Sequence, residues 1–188
     1  ARLTPISKTL VARSLNCSVA RLLAREGACS LGRADARLLW GKFGGRLPVA
    51  EETEAALECN SRGIGDNDVA VLSKLCASGA LQRLGRLFLQ VNQIGDAGIS
   101  SLAEALADGA LPQLKHLHLR GNKIGDVGVS ALASACANGA LAKLEWLVLD
   151  DNQIGDIGVS ALAGAGANGA LAERGNLSLS SNRNRHAG

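Results

Sequence analysis

Hydrophobic and polar positions follow a pattern that recurs every 30 residues along the chain. Residues 84–92 read Leu-x-x-Leu-x-Leu-x-x-Asn, and the same letters recur at 114–122 and 144–152. The Leu-x-Leu core alternates with period two, which is typical of a short strand with one buried face. A fixed period of about 20–50 residues indicates stacked supersecondary units. The pattern therefore predicts parallel strands centred near 87–89, 117–119, 147–149 and 177–179.

After each predicted strand the apolar spacing becomes helical. The triplet Ile-Gly-Asp stands at 64–66, 94–96, 124–126 and 154–156. In the segment that follows residue 126, apolar side chains recur at helical i, i+3, i+4 and i+7 positions from Val129 to Cys136. The spacing predicts helices over 97–107, 127–137 and 157–167, with Asp96, Asp126 and Asp156 as N-caps and Gly109, Gly139 and Gly169 as the residues that end them.

These motifs resemble the leucine-rich-repeat family, in the ribonuclease-inhibitor-like subtype found in NOD-like receptors and Ran GTPase-activating proteins. The resemblance covers about residues 54–182. It implies an α/β solenoid of four to five repeats over residues 51–188. The parallel strands would lie on the concave face and the helices on the convex face. Strands spaced about 4.8 Å apart and helices about 8–10 Å apart must curve in this sense. The resemblance also implies that one Asn per repeat bonds backbone groups at the turn, as a ladder of Asn92, Asn122, Asn152 and Asn182.

The end repeats depart from this motif. In the first repeat, Glu54, Cys59 and Arg62 stand where Leu, Leu and Asn are expected. In the last, Arg174 replaces a Leu. Such departures are typical of terminal repeats.

Residues 1–50 do not repeat and are basic. They carry nine Lys or Arg and two acidic side chains, a net +7, whereas the rest of the chain carries −4. Thr4-Pro5 is a favourable helix start, a second short helix is predicted around 34–40, and residues 41–48 are predicted to be a linker. We favour a helical N-terminal cap that closes the solenoid. The alternative is the remnant of an organellar targeting segment, which is typically Arg-rich and poor in acidic residues.

The cysteine content indicates the cellular compartment of the chain. The five cysteines are odd in number and lack a Cys-x-x-Cys pair, and Cys76 and Cys136 share one repeat position. We therefore expect buried, unpaired thiols in an intracellular reducing compartment, with the cytoplasm favoured over a plastid or mitochondrion. The chain begins at Ala1 and contains no Met, which favours a processed or truncated product. No apolar run approaches the roughly 20 residues of a membrane span.

The sequence contains no recognisable nucleotide-binding, metal-binding or catalytic motif. The glycine-rich turns lack the order of nucleotide-binding loops, and we expect no cofactor and no small-molecule substrate. His116 and His118 point to the same face of one strand, but the neighbouring columns supply no further metal ligand, so we expect no metal site. His186 stands near the end of the chain. The chain is therefore not expected to be an enzyme.

The outward-facing strand positions are the best candidates for function. They form three columns: Arg86, His116, Trp146 and Asn176; Phe88, His118, Val148 and Ser178; Gln90, Arg120, Asp150 and Ser180. Two of the four aromatic residues of the chain, Phe88 and Trp146, fall in these columns. Exposed aromatic and Arg side chains together mark binding hot spots. We predict a partner-binding face made of Arg86, Phe88, His116, His118, Arg120, Trp146 and Asp150.

The predicted function is a protein–protein interaction module that binds another protein through its concave face. One alternative is a peripheral structural subunit of a large, organellar assembly. A second is a regulator of a small GTPase, because the repeat subtype resembles that of Ran GTPase-activating proteins. Nucleic-acid binding is not expected, because the basic groups lie in residues 1–50 without a recognised motif. If Trp146 were packed inside, that basic segment, with Trp40 and Phe43, would become the better candidate surface.

Overall fold

Strands and helices alternate along the part of the chain that the computed structural model describes, residues 55–79, 81–167 and 176–183. The elements are β1 (Ala55–Glu58), α1 (Asp66–Ala77), β2 (Leu84–Phe88), α2 (Asp96–Ala107), β3 (His116–His118), α3 (Asp126–Ala137), β4 (Trp146–Val148), α4 (Asp156–Ala167) and β5 (Asn176–Ser178). The predictions for residues 1–50 lie outside the described residues, as do those for Glu54, Gly169, Arg174 and His186.

The strands form one open parallel sheet in the order β1-β2-β3-β4-β5. Leu87 pairs with Leu117, Leu117 with Leu147, and Leu147 with Leu177, so equivalent residues of successive repeats stand side by side. The predicted parallel strands are confirmed, and each begins slightly earlier than the position on which it was centred. β1 adds a strand from the degraded first repeat.

The helices form a second layer, because consecutive helices pack against one another. Their apolar side chains join the inward strand leucines in one core, as Val129 of α3 and Leu117 of β3 illustrate. The three predicted helices are confirmed to within one residue, and α1 is a fourth. Gly109 and Gly139 follow helix ends with φ of 80° and 84°, a left-handed conformation that favours glycine at this position.

One cap prediction is wrong. Gly95 and Gly125 are the N-caps of α2 and α3, and neither cap has a side-chain hydrogen bond. Asp96, Asp126 and Asp156 are instead the first residues of α2, α3 and α4. The carboxylates of Asp96 and Asp126 bond backbone groups of the following repeat. Asp96 Oδ1 accepts hydrogen bonds from the backbone N–H of Gly125 at 2.7 Å and of Gly128 at 3.0 Å.

The same Asp–Gly bonds recur between successive repeats. Asp66 accepts from Gly95 and Gly98, and Asp126 accepts from Gly155 and Gly158. A Cβ atom on Gly128 would lie 2.8 Å from Asp96 Oδ1, closer than such atoms pack. The repeated glycines thus leave room for the carboxylate of the preceding repeat, and each Asp satisfies two N–H groups at the start of the next helix.

The regularly spaced asparagines form a second set of bonds between repeats. Asn122 Oδ1 accepts from the backbone N–H of Ile94 at 3.1 Å, and its Nδ2 donates to the carbonyls of Leu89 and Leu119 at 3.0 and 2.9 Å. Asn92, Asn152 and Asn182 make equivalent bonds. The first three are buried and Asn182 is half-buried. Each Asn therefore joins its own turn to the preceding one.

Three cysteines lie in the described residues. Cys76 and Cys136 lie in α1 and α3, and Cys59 follows β1; all three are buried and free. The predicted burial of Cys76 and Cys136 is confirmed. Burial raises the pKa of the Cys76 and Cys59 thiols to about 12 and that of Cys136 to about 11, so these thiols stay protonated and unreactive in the fold.

Candidate functional site

The outward side chains of the strands line up across the sheet in the predicted columns. Arg86 pairs with His116, His116 with Trp146, and Trp146 with Asn176. One position further along, Phe88 lies beside His118 and His118 beside Val148. We call these outward side chains of β2, β3 and β4 the strand face: Arg86, Phe88, His116, His118, Trp146 and Val148.

Trp146 is the largest exposed side chain of the strand face. It is 43% exposed, whereas the next residue, Leu147, is 2% exposed and belongs to the core. The strand alternation of β4 produces this contrast, because neighbouring side chains point to opposite sides of a sheet. Trp146 is therefore not packed inside the solenoid.

Phe88, His118 and Gln90 form a bonded cluster beside the Trp146 column. The rings of Phe88 and His118 meet edge-on, with centroids 4.8 Å apart. The Gln90 side-chain amide lies 2.8 Å from His118 Nδ1, within hydrogen-bonding distance. Burial, with a smaller contribution from nearby His116, lowers the pKa of His118. The cluster therefore presents a neutral imidazole at pH 7.

Two predicted partner-binding residues are held by bonds within the chain. The Arg120 guanidinium donates to Asp151 Oδ2 at 2.7 Å, and this bond lowers the pKa of Asp151. Asp150 Oδ1 accepts from the Ser178 hydroxyl at 2.6 Å and from the Ser180 backbone N–H at 2.7 Å. These bonds hold the Arg120 and Asp150 side chains in place, so a partner that bonds either group directly must replace a bond within the chain.

Sequence reasoning missed two side chains next to the strand face. Glu58 pairs with Phe88 across β1 and β2 and extends the face by one exposed acidic group. The Ile-Gly-Asp triplet at 64–66 could have placed this strand. Val91, which follows the third column, is 60% exposed and has a φ of 54°. A β-branched residue rarely adopts this left-handed conformation, and no sequence pattern marks it.

Other kinds of site find no support among the described residues. No group of three or more His, Cys, Asp or Glu side chains there could hold a metal ion. The rings of His116 and His118 stack with centroids 6.3 Å apart. Among the described residues, no third His, Cys, Asp or Glu joins them as a possible metal ligand. Within the same residues, no helix is long and apolar enough to cross a bilayer.

Comparison with known proteins gives a family match. The family model described as Leucine Rich repeat matches residues 87–103, 111–133 and 140–163. These segments run from β2 to α4 and contain three copies of the strand, turn and helix unit. No curated protein sequence matches the chain.

Two solved structures show limited similarity. A chain of the BIR3–SERK2 complex from Arabidopsis thaliana is 18% identical, with a TM-score of 0.40 over 73% of this chain and 62% of that one. An internalin from Listeria monocytogenes is 26% identical, with a TM-score of 0.35 over 58% of this chain and 33% of that one. This chain thus spans less than two thirds of either protein chain. The family match and the strand, Asn turn and helix geometry of the same segments together show leucine-rich repeats within residues 87–163.

Proposed function

We propose that the chain is a protein–protein interaction module that binds its partner through the strand face. The observation that carries the proposal is the exposure of Trp146, in register with His116 and Arg86. The opposite side of β2, β3 and β4 carries the buried core residues Leu87, Leu117 and Leu147. Aromatic and Arg side chains dominate the binding energy of protein interfaces.

The neighbouring clusters support the same surface. Phe88 and His118 provide an aromatic, largely neutral area beside the Trp146 column. Arg120 and Asp150 are already bonded within the chain, so we expect them to orient the edge of the site and to contribute less energy than Trp146. The interface would therefore have an apolar and aromatic centre with a polar border, as is usual for protein complexes.

The test is capture of the native partner from the source organism with the full chain, followed by calorimetry with the purified partner. Trp146→Ala should weaken binding at least tenfold, because truncating a buried aromatic anchor costs about 2 kcal/mol or more. Its circular dichroism spectrum should not change, since the side chain lies outside the core. Lys123→Ala is the matched control, because it removes an exposed side chain from a turn.

Equal losses for Trp146→Ala and Lys123→Ala would reject the strand face. The identity of the captured protein separates the alternative functions. A small GTPase whose hydrolysis rate rises with the chain would support the regulator role, and a multi-subunit complex would support the peripheral-subunit role.

We also propose a reducing, intracellular setting and the ribonuclease-inhibitor-like subtype. The free, buried state of Cys59, Cys76 and Cys136 supports the first. A regular helix of 12 residues in each of the four helical segments supports the second.

A further inference from the structure

A row of side chains that are positive, or become positive in acid, crosses the strand face at β3. His116 and His118 point to the same side of β3, and their rings stack with centroids 6.3 Å apart. Arg86 of β2 stands beside His116 in the sheet register. Arg120 follows His118 by two residues and is exposed. Two imidazoles of a type that titrates between pH 5 and 8 therefore lie between two side chains that are always charged.

The other groups that surround the two rings do not balance this charge. Phe88 meets the His118 ring edge-on, and the Gln90 amide lies 2.8 Å from its Nδ1. At the paired positions β4 presents two side chains that carry no charge, Trp146 and Val148. Each carboxylate around the row is bonded to, or separated from it by, another residue: Asp150 bonds Ser178, Asp151 bonds Arg120, Glu145 lies 3.9 Å from Lys115, and Glu58 lies beyond Phe88.

The free chain already disfavours positive charge at this place. Burial, with a smaller contribution from His116, lowers the pKa of His118. Both rings are only half-buried, however, and water still reaches them. A partner that covers the strand face would remove this water, and loss of water further disfavours the charged form of an imidazole.

We propose that His116 and His118 form a pH-sensitive pair that releases the partner of the strand face in a mildly acidic medium. The inference rests on the proposed function and deepens it, because it specifies how binding at that face is regulated. A partner that covers Trp146 also covers His116, which stands beside it in the sheet. Protonation would then place two positive charges close to each other and to Arg86 inside an interface, where like charges are unfavourable.

The direction of the effect follows from proton linkage. In the complex the imidazoles are held neutral, so the bound chain carries fewer protons than the free chain in mild acid. Affinity is therefore complete above the pH range in which histidine titrates, and it falls as the pH drops through that range. A partner with carboxylates opposite β3 would produce the opposite dependence. The proposal thus also specifies a partner surface that is not acidic at this place.

The first experiment needs no partner. The ring signals of the three histidines of the chain, His116, His118 and His186, are followed by NMR during a pH titration of the full chain. We expect the apparent pKa of His118 to lie below that of N-acetyl-histidine amide. His116→Gln should raise the pKa of His118, because it removes a neighbour that becomes positive. His186→Gln is the matched control and should leave the pKa of His118 unchanged.

A His118 pKa equal to that of the model compound, or one that does not respond to His116→Gln, would overturn the proposal. If His116→Gln does not fold by circular dichroism, His116→Asn replaces it in every comparison.

The second experiment uses calorimetry with the captured partner at about pH 7.5 and about pH 5.5, on either side of the usual histidine pKa. The affinity of the wild type should fall at least tenfold between the two conditions, and its complex should release protons at the lower pH, measured in two buffers of different ionisation enthalpy. The double variant His116→Gln/His118→Gln should lose most of this ratio and release fewer protons. Only the ratio is compared, because both residues lie in the binding face. His186→Gln should keep the full ratio.

The same measurements separate this inference from the proposed function. Tighter binding in acid, or equal pH ratios in the wild type and the double variant, would reject the pH-sensitive pair. If Trp146→Ala still weakens binding at the higher pH, the strand face remains the binding site in that case. Equal losses for Trp146→Ala and Lys123→Ala would reject the proposed function, and this inference with it.

Discussion

At the scale of the residue, the turns depend on side chains whose hydrogen-bonding groups are fully used. Each Asn of the ladder accepts from one turn and donates to carbonyls of two. Removing such a side chain leaves buried backbone groups without partners, which costs more than the net value of the bonds themselves.

Asn122→Ala should therefore lower the free energy of unfolding by roughly 1–3 kcal/mol. Asn182→Ala should lower it less, because Asn182 is half-buried and water can reach its turn. Urea unfolding followed by circular dichroism measures both. An unchanged midpoint for Asn122→Ala would contradict the structural role of the ladder.

Val91 is a residue whose backbone conformation opposes its side chain. The equivalent position is Gly121 in the next repeat, also with positive φ, and the turn geometry is the same in both. The left-handed conformation costs an L-residue about 1–2 kcal/mol, and glycine avoids this at a smaller entropic cost.

Val91→Gly should raise the free energy of unfolding by about 0.5–1 kcal/mol, the difference between these two terms. The reciprocal variant Gly121→Val should lower it by about 1–2 kcal/mol. Thermal unfolding of the two variants beside the wild type provides the measurement. Stabilisation by both variants, or by neither, would show that the turn conformation does not limit stability.

At the scale of the element, the starts of α2, α3 and α4 are each bonded to the preceding repeat. The Asp–Gly bonds link α1 to α2, α2 to α3 and α3 to α4. They require an acidic residue in one helix and two glycines about one repeat later. The two residue types should therefore be energetically coupled.

Gly128→Ala should lower the free energy of unfolding by roughly 1–3 kcal/mol. The added Cβ would displace the Asp96 carboxylate and leave the backbone N–H groups of Gly125 and Gly128 without a partner. The Asp96→Ala and Gly128→Ala changes should combine to less than the sum of their separate effects. Gly164→Ala is the control with the same chemical change, and it should stabilise by up to about 1 kcal/mol. Additive losses in the double variant would refute the coupling.

At the scale of the whole molecule, protection from solvent is uneven along the array. Leu57 of β1 and Leu117 of β3 are no more than 1% exposed, whereas the equivalent Leu177 of β5 is 43% exposed. A stacked array is stabilised by contacts between neighbouring repeats. Among the described residues, the repeat that carries β5 has the most solvent-exposed inward leucine.

Hydrogen exchange measured by mass spectrometry should therefore be at least tenfold faster for residues 176–179 than for residues 116–119, because opening free energies follow local packing. The comparison uses the full chain at one pH and temperature. Equal protection of the two segments would show that β5 is covered in solution as well as β3 is.

The repeat period was enough to predict the parallel strands, the helices and the outward columns, because alternation and helical spacing report directly which face of each element is buried. Predictions based on side-chain partners were less secure. The sequence neighbours of Asp96 predict an N-cap, but its carboxylate bonds Gly125, 29 residues away. Arg120 and Asp150 were read as available to a partner, but they bond Asp151 and Ser178.

The class of fold and the outward strand positions thus follow from the amino-acid sequence alone. The stacked structure was needed to show which polar groups are bonded, that Val91 is held in a left-handed turn, and that Leu177 of β5 is exposed. The difference is the distance along the chain over which each feature is specified. Burial periodicity is local and is written into each 30-residue unit, whereas a hydrogen bond or a cavity depends on which atoms the stacking of repeats brings within a few ångströms of one another.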